Sequence, residues 1–116
     1  MRYVHHLDNI TVLRQDGTVD PNVGSFPFLA FLEAIVFDDR RATATYKSTV
    51  RWRALVSMFR DSKVGDWIAV EDQDWVVLDT ILQAPDRHFN NALMAVQLLP
   101  FYEAVLLAGT VDPRKD

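Results

Sequence analysis

Apolar and polar positions along the chain fall into short runs broken by turn residues. Asn9–Arg14 is rich in β-branched residues and stops at the turn dipeptide Asp16-Gly17, so it predicts a first strand. Residues 16–27 hold two glycines, two prolines and two aspartates. They read as a long loop, or as a polar hairpin whose return begins at Thr18-Val19. Phe28–Phe37 is apolar at nearly every position, and periodicity alone does not separate a buried strand from a buried helix there. Ile35-Val36-Phe37 ahead of Asp38-Asp39-Arg40-Arg41 favours a strand over 31–37. In Val50–Val56, the residues Val50, Trp52, Ala54 and Val56 alternate with Arg51 and Arg53, which predicts a strand within 42–56, single or bent near Ser48. Ser57–Lys63 reads as a polar connection or one short helical turn.

The best-defined unit is 64–83. Val64-Gly65-Asp66 is a turn, Trp67–Val70 a strand, Glu71-Asp72-Gln73-Asp74 a tight acidic loop and Trp75–Leu82 the return strand of a hairpin. Ala84–Asn91 reads as a loop, and Ala92–Leu99 as a further strand ended by Pro100. Phe101–Ala108 is either a strand or two helical turns. It covers the chain's own core or docks on a neighbour, and Asp112–Asp116 is a polar tail. The expected fold is mainly β: a small antiparallel barrel or sandwich over 1–99 with a long N-terminal loop, then a short apolar arm over 100–116.

Composition supports that expectation. The chain has 116 residues, enough for one domain with its own core. Thirteen aspartates stand against three glutamates, and aspartate favours turns and caps where glutamate favours helix interiors. Fourteen valines, four isoleucines and seven threonines favour strands. With no cysteine, a disulfide scaffold, a thiolate zinc site and a cysteine nucleophile are excluded. The net charge of −4 argues against a protein that grips phosphates. Residues 1–20 lack the apolar run of a signal peptide. Ala92–Ala108, interrupted by Gln97, Pro100 and Glu103, falls short of the ~20 residues a membrane helix needs.

Candidate chemistry is sparse. His5 and His6 are adjacent, so in a strand they face opposite ways and do not share a metal ion, and His88 stands alone. Glu71, Asp72 and Asp74 lack the glycine and distal glutamate of a calcium loop, so they read as a solvated tip. Glu33, Asp66 and Asp79 do not form a visible acid/base pair, and no G-x-S-x-G, phosphate loop or G-x-G-x-x-G occurs. No enzyme activity and no cofactor is expected. Trp52, Trp67 and Trp75 with Phe59, Arg51 and Arg53 would suit stacking on single-stranded nucleic acid, but the plainer reading is a filled core beneath a solvated strand face.

Val64-Gly65-Asp66-Trp67-Ile68-Ala69-Val70, a short polar loop, Trp75–Leu82 and Ala92–Leu99, after the strand at Ile10–Arg14, resemble the small β-barrel head-closure and head–tail joining proteins of tailed-phage necks. The resemblance implies a structural virion protein in a homo-oligomeric ring, touching portal, adaptor and tail proteins. Double-stranded DNA would pass without tight binding, which an acidic chain suits. It further implies a lumen or gating loop at Asp16, Gly17, Asp20, Asn22 and Gly24, or the acidic tip at Glu71, Asp72 and Asp74. Phe101, Tyr102, Val105, Leu106 and Leu107 would form an inter-subunit arm. The competing expectation is a small soluble protein-binding module acting through an acidic face.

Overall fold

The structure, a computed structural model, describes residues 1–37, 45–84 and 96–114. Along the chain come β1 (Arg2–His5), β2 (Ile10–Thr11), β3 (Ser25–Phe26), α1 (Phe28–Phe37), α2 (Tyr46–Asp61), β4 (Trp67–Val70), α3 (Asp72–Gln83) and α4 (Leu99–Leu106). Helix outweighs strand, and the strands form two small two-stranded sheets. The chain is therefore an α+β fold. The expected barrel or sandwich is overturned.

The correction has one physical cause, repeated in each helix. In α2 the buried residues are Trp52, Leu55, Val56 and Phe59, spaced i, i+3, i+4 and i+7. That is one face of a helix, and it competes with the two-residue alternation of Val50, Trp52, Ala54 and Val56 in the same stretch. Thr45 starts the helix: its hydroxyl accepts from the Ser48 amide, and the Ser48 hydroxyl accepts from the Thr45 amide, a closed capping box. The expected strand within 42–56 is thus helical from Tyr46, residues 42–44 lying outside the described set. At 57–63, expected as a connection or one short helical turn, the chain is helical to Asp61 as the last part of α2.

The strand expected at 31–37 is part of α1, which buries Phe28, Phe31, Leu32, Ile35 and Val36 on one face. The return strand expected at Trp75–Leu82 is α3, whose buried residues Leu78, Ile81 and Leu82 follow the helical period. Its acidic "loop" is the start of that helix. Glu71 is the N-cap, and Asp72 and Asp74 lie in the first turn, where negative charge meets the positive end of the helix dipole. Of the strand expected at 92–99, residues 92–95 lie outside the described set and Val96-Gln97 are helical. Pro100, read as a breaker, sits in the first turn of α4, where a missing N–H costs nothing.

Other expectations hold. Gly65, at φ +97°, makes the turn into β4, a backbone angle that side chains other than glycine rarely adopt. β4 then pairs antiparallel with β1, Val4 opposite Ile68 and His5 opposite Trp67. Asp16-Gly17 closes a hairpin-like turn, with Leu13 bridging Val19 and Gly17 at φ +86°. β1 went unread, because four residues ahead of a polar break carry little pattern.

The core is one cluster. α1 packs on α2 and α3, and α4 on α3 and β1. At its centre the Phe28 ring lies 5.0 Å from Phe101 and 5.9 Å from Phe59, and Phe31 lies 5.1 Å from Tyr102, all tilted or edge-on. Val4, Ile68 and Val70 supply the sheet's inner face.

Candidate functional site

The residues expected to carry function are scattered, and most hold local structure. In the N-terminal loop, Asp16 Oδ1 accepts from the Thr18 hydroxyl at 2.6 Å and its amide at 2.9 Å. These bonds, the hydroxyl first, hold the Asp16 carboxyl below the usual carboxylate range. Asp20 accepts likewise from the Asn22 amide, while its own amide donates to Val12 O and Gly24 O accepts from the Val12 amide, closing the loop. Across the gap, the Gln97 carboxamide takes the place of a strand: its Oε1 accepts from Leu13 N at 2.8 Å and its Nε2 donates to Leu13 O at 2.9 Å.

The arm residues divide. Phe101 and Val105 are fully buried in the chain's own core, and Tyr102 and Leu106 are half-buried against it. Leu107 is 75% exposed. Between the two helix-or-strand alternatives the segment is a helix, and it covers its own core. Past it, Gly109 O accepts from Tyr3 N at 3.0 Å.

The tryptophans do not share a surface. Trp52 is buried. Trp67 stacks on His5 with ring centroids 4.3 Å apart. Trp75 donates its indole N–H to Val105 O and carries the Arg2 guanidinium over its ring. His6 Nδ1 lies 2.6 Å from the Ser62 hydroxyl, and His88 lies outside the described residues. Glu33 of α1 pairs with Arg60 of α2, Asp66 accepts from the Lys63 amide in the turn before β4, and Asp79 accepts from Gln83 within α3. Among the described residues no group of three or more metal-ligating side chains converges, and no helix is long and apolar enough to cross a membrane.

The acidic trio is the exception, because it borders a groove. Arg51 of α2 reaches Asp74 at 2.5 Å and Glu71 at 3.8 Å, and Gln73 donates to Glu71. The Met1 ammonium donates to Asp72 at 2.6 Å and, by that bond first, lowers its carboxyl pKa. Each carboxylate is thus matched by a cation or amide. The groove, open and about 910 Å³ in volume, runs between α2, β4 and the start of α3. Its α2 wall includes Lys47, Val50, Arg51, Ala54, Leu55 and Met58, and Ala69 of β4 and Glu71, Gln73 and Asp74 face it. Their spacing of three and four along α2 is the signal that identifies this second helical face in the sequence. The two-residue alternation of Val50, Trp52, Ala54 and Val56 in the same stretch competes with it.

One end of the groove is polar, where Arg51 meets Glu71 and Asp74. The other is apolar, where Ala54, Leu55 and Met58 lie. Met58 is 46% exposed, a large side chain left uncovered over nearly half its surface. No family model, curated protein or solved structure matches the chain.

Proposed function

We propose that this chain is a non-catalytic protein-binding domain, and that its partner sits in the groove between α2, β4 and the start of α3. The groove carries the reading. It has an apolar wall flanked by the paired Arg51, Glu71 and Asp74 and by Lys47, the make-up of a recognition surface with an apolar centre and a polar rim. The polar groups at its end hold each other in place and leave no free nucleophile or acid/base pair at the apolar end. The acidic residues act here as the rim of the groove and not as a face of their own. The neck role implied by the sequence resemblance was tied to a barrel that this chain does not form. No feature of the structure favours it over a plain binding domain.

Selection of peptides from a random display library against the folded domain tests the proposal. Enriched peptides are expected to share a pattern and to shift the amide resonances of Val50, Ala54, Met58 and Ala69. Ala54→Arg, which fills the groove from an exposed position, is expected to weaken them at least about tenfold, the scale of one lost anchor at an interface. Peptides that map to another face, or that bind Ala54→Arg equally well, would overturn it.

A further inference from the structure

Among the described residues β4 has a strand on one side only. Its pairing with β1 fixes which backbone groups look outward. His6 N donates to Asp66 O, and Tyr3 N donates away from β4 to Gly109 O. Hydrogen-bonded pairs alternate along an antiparallel ladder. The bonded pairs are therefore Arg2 with Val70 and Val4 with Ile68, and the N–H and C=O of Trp67 and Ala69 point to the outer edge. Among the described residues no strand lies against that edge. Ala69 also lines the groove, so the open edge meets the exposed side of α2 at Ala69, and Trp67 continues the edge beyond it.

We propose that the groove takes an extended segment of a partner protein, added as a strand to the outer edge of β4 with its alternate side chains against Val50, Ala54 and Met58. The inference rests on the groove being the binding surface and names the conformation and chemistry of what it binds. Unpaired main-chain donors and acceptors at a sheet edge are satisfied by another strand. A helix has already used its own main-chain groups and leaves these unpaired. A second copy of this chain would bring its own α2, packed beside the same strand, into the gap, whereas a single extended segment needs only the gap. Charge names one more feature. At the polar end Arg51 is balanced by Asp74 and Glu71, while Lys47 has no ion pair among the described residues. The added strand therefore carries apolar side chains at alternate positions and a carboxylate where it passes Lys47.

The test uses the whole chain and a capped synthetic peptide of about six residues, long enough to span β4, alternating valine and threonine with one terminal glutamate. Two comparison peptides leave the protein untouched: the same sequence N-methylated at alternate backbone nitrogens, and a helical alanine-rich peptide with the same number of valines. The first peptide is expected to bind and to slow amide exchange at Trp67 and Ala69 at least about tenfold, with the N-methylated peptide at least about tenfold weaker for its lost main-chain bonds. Lys47→Glu, at an exposed site, is expected to weaken the glutamate peptide and to favour one carrying lysine instead. Shifts in Val50, Ala54 and Met58 without protection of Trp67 and Ala69 would overturn strand addition and leave the groove standing as a binding surface. So would equal binding of the helical peptide. No binding of any of the three at about 1 mM would also overturn strand addition, while the groove itself is judged by the library selection.

Discussion

Phe101 and Leu107 lie six residues apart in one apolar segment and face opposite fates. Phe101 is enclosed by the rings of Phe26, Phe28 and Phe31, whereas Leu107 is three-quarters exposed. Phe101→Ala is expected to destabilise the fold by about 3–5 kcal/mol, and Leu107→Ala by no more than about 0.5 kcal/mol, both read by urea unfolding. Asp16 offers a second residue-scale test. Its carboxylate is held by Thr18, so its pKa in the fold lies below that of the unfolded chain. A group of that sign contributes stability that is fully present above the unfolded pKa and is lost as pH falls through the folded one. In an NMR titration of the carboxyl carbon, Asp16 is expected to titrate below a free aspartate. Thr18→Val, which removes the hydroxyl and keeps the branched shape, is expected to raise its midpoint.

At the scale of elements, α2 depends on its beginning. Thr45 and Ser48 satisfy each other's amides, and no acidic residue in the first turn supplements them. Thr45→Ala is expected to cost about 0.5–2 kcal/mol in chemical denaturation. An unchanged midpoint would show that packing alone sets the start of the helix. The Gly65 turn, β4 and the turn at Asp16-Gly17 were legible in the sequence, since each rests on local backbone chemistry, whereas the Thr45–Ser48 capping box lay in a stretch whose small and β-branched residues read as a strand. Nor were the helices legible. Over seven residues, Val50–Val56 satisfies an alternation of two, and only on reaching Phe59 does the helical period stand out. Trp75–Leu82 misled for the same reason, its valines and isoleucine favouring a strand while Leu78, Ile81 and Leu82 line one side of a helix.

For the molecule as a whole, the C-terminal segment is part of the domain. Leu98, Phe101, Val105 and Ala108 belong to the one core cluster, and Gly109 adds a bridge to Tyr3. Removal of residues 100–116 is expected to abolish cooperative thermal unfolding rather than release a separable arm. A sharp transition in the shortened chain would show that 1–99 folds alone. The far-UV circular dichroism spectrum of the full chain is expected to show the double minimum of helix. A single strand-type minimum would contradict the α+β fold.

The candidate groove divides between the two sources of information in the same way. Its side chains at 47, 50, 51, 54 and 58 stand in the sequence at helical spacing, but nothing local says which helical face of α2 is covered and which is left open. What the sequence determined by itself were the turns, β4 and the apolar positions that the core absorbs. Whether those apolar positions lie on helices or strands was decided by tertiary structure. Helix and strand propensities differ by only about 1 kcal/mol or less for most residues, whereas enclosing one large apolar side chain contributes about 1.5–3 kcal/mol. The contacts that Phe28, Trp52, Phe59 and Phe101 make across the core therefore outweigh the strand preference of the valines beside them.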